Sequence, residues 1–100
     1  MSPRPKLNPP DPGALYAAAE TARQAQIRKD RLLSYVERGL VVVIEERQGE
    51  YFFNDEEIYI LRHIEVLRRE EGVPLKHIAR MVELLRQVRR LEAELKFLRG

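Results

Sequence analysis

The stretch Leu40–Asp55, LVVVIEERQGEYFFND, carries the strongest strand signal in the chain. Val41, Val42, Val43 and Ile44 form a β-branched run, and Tyr51, Phe52 and Phe53 an aromatic one. Both residue classes fit a pleated, half-buried surface. Glu45, Glu46, Arg47, Gln48, Gly49 and Glu50 lie between them and read as a polar turn with one glycine. The pattern predicts a β-hairpin. A two-stranded hairpin is marginal in water by itself, so this one has to pack on the remaining chain, which reads as helix.

Upstream, LYAAAETARQ is rich in helix formers and predicts a helix from about Ala14. Leu15, Ala18, Ala19 and Ala22 recur at helical spacing. Gln24, Ala25 and Gln26 are expected to turn the chain. A second helix is expected from about Arg28 to Arg38, with Leu32, Leu33, Val36 and Leu40 on one face and Gly39 as its stop. Two short helices joined by a tight turn have helix-turn-helix form. Before them, residues 1–13 hold five of the six prolines plus Gly13, with Arg4 and Lys6. This segment reads as a flexible, slightly basic arm.

Downstream, Asn54 is a good N-cap and Glu57 follows three residues later, as in a capping box. Asp55 and Glu56 suit the positive end of a helix. The helix is expected to reach about Glu71, with Ile60, Leu61, Ile64 and Leu67 as its stripe. Gly72 ends it, and Pro74 opens the last helix, which runs to Arg99. That helix has two phases. Ile78, Val82 and Leu85 are assigned to the core, whereas Leu84, Val88, Leu91, Leu95 and Leu98 step by 4, 3, 4 and 3. This heptad seam suggests dimerisation, although it is too short for a coiled coil to hold by itself. The expected organisation is an arm (1–13), a winged helix-turn-helix domain (14–82) and a C-terminal coiled-coil part (83–100), mainly α overall.

One hundred residues make one domain of common size. Without cysteine there is neither a disulfide nor a thiolate metal site. No apolar run reaches membrane-spanning length, and MSPRPKLNPP lacks the core of a secretory signal, so a cytoplasmic protein is expected. His63 and His77 have no partner at metal-ligand spacing, and Ser2 and Ser34 lie in no nucleophile motif. No phosphate-cradling glycine loop exists. The sequence therefore argues against an enzyme and implies no cofactor.

The small net charge hides a contrast. Residues 23–38 hold Arg23, Arg28, Lys29, Arg31 and Arg38 against Asp30 and Glu37, while residues 41–57 hold Glu45, Glu46, Glu50, Asp55, Glu56 and Glu57 against Arg47. DNA affinity rests largely on neutralising phosphates, so the basic segment suits DNA and the acidic one opposes it. The acidic segment suits a basic protein surface.

These features together resemble the MerR-type winged helix-turn-helix. The resemblance covers about residues 14–98: a helix-turn-helix ending in an aromatic-x-x-x-Gly-Leu step (Tyr35, Gly39, Leu40), a wing, a two-helix unit broken at Gly72 and a C-terminal coiled-coil helix. DNA-reading members usually carry an arginine after the recognition-helix leucine and another in the wing. Here Leu33 stands beside Leu32 and Ser34, and the wing reads Gly49-Glu50-Tyr51. The chain is most similar to the CbpM-type chaperone modulators, through Tyr51, Phe53, Asn54 and Asp55, the Gly72-Val73-x-Leu75 step and the leucine tail. That resemblance implies a module that binds the J-domain of a DnaJ-like co-chaperone and limits its action on Hsp70. Glu45, Glu46, Glu50, Tyr51, Asp55, Glu56 and Glu57 are its candidate contacts. The alternative is a dimeric DNA-binding regulator, with Arg23, Arg28, Lys29, Arg31 and Arg47 on phosphates and Leu84, Val88, Leu91, Leu95 and Leu98 joining two copies.

Overall fold

The computed structural model describes residues 13–99; the arm, apart from Gly13, lies outside them. The chain divides into two compact units between Tyr59 and Ile60. The first holds strand β1 (Tyr16–Ala17), helices α1 (Ala18–Ala25) and α2 (Lys29–Glu37), and strands β2 (Glu45–Arg47) and β3 (Glu50–Phe53). Helix α3 (Asp55–Arg69) begins in the first unit and ends in the second, which also holds α4 (Leu75–Arg99).

The hairpin forms with its second strand on the expected aromatic run, but its first strand is displaced. The β-branched run Val41–Ile44 is irregular, and the first strand is the charged Glu45–Arg47. Arg47 faces Glu50, so the turn is two residues long, Gln48 and Gly49. Both have positive φ, 51° and 79°, the geometry that matches the right-handed twist of the flanking strands. Ile44 extends the ladder by one bond, its N–H donating to the Phe52 carbonyl at 2.9 Å. The β-branched run fails as a strand because its apolar side chains go to different places. Val41 is buried, whereas Val42 and Ile44 are exposed.

The hairpin also gains a third strand. Residues 14–17 were expected to be helical. Instead Tyr16 pairs with Phe53 and Ala17 with Phe52, which gives the antiparallel order β1-β3-β2. The buried Thr21 hydroxyl donates to the Tyr16 carbonyl at 3.3 Å and fixes the step from strand to helix.

The tight turn of the helix-turn-helix falls at Gln26–Arg28, two residues later than expected. Gln26 takes the left-handed conformation (φ 59°) that glycine usually supplies. Its N–H donates to the Arg23 carbonyl and that of Ile27 to the Ala22 carbonyl, at 3.1 and 3.0 Å. Helix α2 ends the same way. Gly39 has φ 76°, the Gly39 N–H reaches the Val36 carbonyl, and the Leu40 N–H reaches the Tyr35 carbonyl, both at 3.0 Å. These paired bonds satisfy carbonyls that a helix end leaves open.

The first unit buries Ala18, Thr21, Ala22, Ala25, Leu32, Tyr35, Leu40, Val41, Phe53 and Ile58. The α2 stripe is thus rotated from the expected one. Leu32 and Tyr35 are buried, while Leu33 and Val36 are half-buried. In the second unit Ile60, Leu61, Ile64, Ile78 and Val82 are buried, and Leu85 is half-buried. The buried Glu65 carboxylate there is met by Arg69 of the same helix at 3.1 Å.

One side chain in the first unit bridges distant parts of the chain. Asn54 Oδ1 accepts the Glu57 N–H at 3.0 Å, which is half of a capping box. Glu57 is buried, and its Oε1 accepts the Val42 N–H at 2.8 Å across fifteen positions of sequence. Glu57→Ala should lower unfolding free energy by about 1–3 kcal/mol, because it strands a donor and removes a charge-assisted bond. Glu57→Gln, which keeps an acceptor, should lose less. Urea unfolding of the two variants beside the parent chain checks the order.

Candidate nucleic-acid interface

Helix α2 is the second helix of the helix-turn-helix, the element such folds place in the DNA major groove. With Leu32 and Tyr35 turned inward, the 100° step of a helix puts Asp30, Leu33, Ser34 and Glu37 on the opposite side. Arg28 and Lys29 are exposed and Arg31 is half-exposed, so the cations gather at the N-terminal end of α2. Arg38 is exposed just past its other end. Arg28 lies 3.4 Å from Asp30, whose carboxylate also accepts the Arg31 N–H at 2.9 Å.

Arg23, on α1, is engaged within its own helix. Its Nε and Nη2 donate to the two Glu20 carboxylate oxygens at 2.9 and 2.5 Å, and Gln24 donates to the same carboxylate at 3.1 Å. The Arg23 guanidinium, and after it the Gln24 amide, hold the Glu20 carboxyl below the usual carboxylate range. In return, Glu20 raises the pKa of Arg23.

The wing separates the acids that the sequence groups together. Residues facing each other across an antiparallel pair point to the same side of the sheet. Glu45 faces Phe52 and Arg47 faces Glu50, so these four share one face. Arg47 pairs there with Glu45 and lies over the Phe52 ring, 5.3 Å from its centre. The wing cation is therefore engaged twice within the wing. Glu46 faces Tyr51 on the other side, the side from which Phe53 enters the core. Glu46 and Glu50 are exposed, Tyr51 is half-buried, and Asp55 and Glu56 are half-buried in the first turn of α3. Glu57 has to be struck from the expected contact surface. It is 3% exposed, and its carboxylate is taken by Val42. Sequence reasoning missed the exposed Val42 and Ile44, because a β-branched run reads as core.

In the second unit Leu84, Val88, Leu91, Leu95 and Leu98 are all exposed, from 45% at Leu84 to 80% at Leu98. Met81, one heptad before Val88, continues the stripe. Among the described residues no group of His, Cys, Asp and Glu converges as a metal site, and no helix is long and apolar enough to cross a membrane.

Two short helices with a tight turn, a wing closed by a two-residue loop and a further helix capped at the wing's end define a winged helix-turn-helix protein. The description "MerR HTH family regulatory protein" matches residues 16–92, and the chain belongs to that family. Among solved structures it is similar to the crystal structure of HiNmlR, "a MerR family regulator lacking the sensor domain, bound to promoter DNA". The two share 22% identity over 86% of this chain and 76% of that one, with a TM-score of 0.63, a likeness of fold. No curated protein matches the chain.

The Glu20–Arg23 pair can be tested directly. In an NMR titration the Glu20 carboxyl should titrate below the usual carboxylate range, and Arg23→Ala should move it back up. Because the folded pKa is the lowered one, the pair's stabilisation is present above the unfolded value and is lost as pH falls through the folded value. The loss should be small, since the pair is exposed.

Proposed function

We propose that this chain is a non-enzymatic, DNA-binding transcriptional regulator that acts as a dimer. The observation that carries this reading is the gathering of Arg28, Lys29 and Arg31 at the exposed end of α2, in a chain of the MerR family. Cations at the start of a recognition helix meet phosphates flanking the groove, and such contacts hold register without fixing sequence. Arg23 joins them only after leaving Glu20, and Arg47 only after leaving Glu45 and Phe52. The exposed Leu84–Leu98 seam of residues 83–100 takes a second copy, which brings two α2 helices to two half-sites.

Affinity for duplex DNA should fall steeply with salt, by a slope of about 0.9 for each phosphate neutralised. Replacing Arg28, Lys29 and Arg31 with alanine should flatten that slope by roughly 2–3 while the fold persists. Leu91→Glu should yield a monomer in sedimentation equilibrium and weaken duplex binding. Salt-independent or undetectable binding to every duplex tried would contradict the reading.

A second reading is favoured by a specific observation: the acids Glu46 and Glu50 and the apolar Val42 and Ile44 are all exposed within nine residues of sequence. Glu46 and Glu50 lie on opposite faces of the wing. Glu46, with Ile44 two residues before it, therefore forms the acidic surface with an apolar anchor. This suits a basic amphipathic helix, such as a CbpM-type modulator meets on a J-domain. One variant separates the readings. Glu46→Lys with Glu50→Lys should strengthen duplex binding if the chain reads DNA. It should weaken J-domain binding if the chain is a modulator.

A further inference from the structure

The outward side of α2 carries Asp30, Leu33, Ser34 and Glu37, and this composition limits what the helix can read. Guanine presents two acceptors to the major groove and is met by arginine or lysine; adenine is met in bidentate fashion by asparagine or glutamine. None of these four side-chain types stands on that side. Asp30 and Glu37 are acceptors when ionised, so they repel guanine's O6 and N7 and suit only an amine donor such as cytosine N4. Leu33 is apolar and half-buried, and stands one turn after Lys29. The one apolar group on the major-groove edge of a base pair is the thymine C5-methyl.

Resting on the DNA-binding reading above, we propose that Leu33 is a specificity-determining residue that packs on a thymine methyl group in each half-site. Its position supports this role. Leu32 and Tyr35 fill the core, so Leu33 is placed by the helix step on the side facing away from it. Ser34, next to Leu33 in the chain, fits either kind of base edge.

The test uses the full chain and a duplex selected from a random pool. Each thymine in the selected duplex is replaced by uracil, which removes the methyl and leaves base pairing intact. One replacement per half-site should weaken binding about three- to tenfold, the lower end of a specific base contact. Replacement of the other thymines should change little. Leu33→Ala should bind thymine and uracil duplexes equally, and should keep the parent chain's salt slope on an unselected duplex. Circular dichroism establishes that this variant is folded, and the more conservative Leu33→Met should retain part of the thymine preference.

Salt-dependent binding with no effect of uracil at any position would overturn the role of Leu33 and leave the DNA-binding reading standing. So would a Leu33→Ala chain that still prefers thymine. If Leu33→Ala left the thymine preference intact and instead weakened J-domain binding, the outward side of α2 would be a protein-docking face and the proposal would fall. If no duplex were bound in a salt-dependent way, the DNA-binding reading and this inference would fall together.

Discussion

The contact between the Glu57 carboxylate and the Val42 N–H ties the first turn of α3 to the loop that follows α2. The loop after α2 has no ladder partner at Val42, and its partly buried N–H needs an acceptor. Glu57 meets that need from the first turn of α3. A buried carboxylate is itself expensive, and two features offset it. It sits at the positive end of a helix, and it makes a charge-assisted bond. Asn54 fixes the turn from which it projects. The exit of α2, the base of the wing and the start of α3 thereby meet at one side chain. The wing's orientation follows from that junction and from the third strand, since Tyr16 and Ala17 pair with β3.

This junction explains why the charges end up where they do. Six acids are close in sequence, but only the exposed wing acids are free to shape a surface potential. Glu57 is internal, Asp55 and Glu56 serve the helix start, and Glu45 neutralises Arg47. The cations of the helix-turn-helix are thinned in the same way, because Arg23 is clamped by Glu20 and Arg28 lies beside Asp30. The electrostatic contrast between the two segments is therefore milder at the surface than in the sequence. What remains is a small cationic end of α2 and a small acidic wing.

Much of the architecture was legible in the sequence. Asn54 marks the start of α3, Gly39 the end of α2, and Gly49 the tip of the wing, because each has a local conformational reason to stand there. The heptad step of Leu84 to Leu98 foretold an exposed apolar stripe. What failed were features set by tertiary partners. Val41–Ile44 has strand propensity, yet the chain needs it as a loop, with Val41 inward and Val42 held by Glu57. Residues 14–17 precede good helix formers, yet the open edge of β3 draws Tyr16 and Ala17 into a strand. Gln26 adopts left-handed backbone without being glycine, so the turn between α1 and α2 falls two residues later than expected. The site was less legible than the fold, since Leu33 reads as core until Tyr35 is seen to take that place.

In the proposed DNA-binding role, α2 meets the nucleic acid and the wing lies at its margin. Amide chemical-shift mapping of the full chain, titrated with a short duplex at physiological salt, tests it most directly. The largest changes should fall at Arg28–Ser34, with smaller ones at Gln48–Glu50 and none at Val42, whose N–H is already held by Glu57. Changes centred on Val42–Tyr51 with α2 unmoved, or no changes at all, would contradict it.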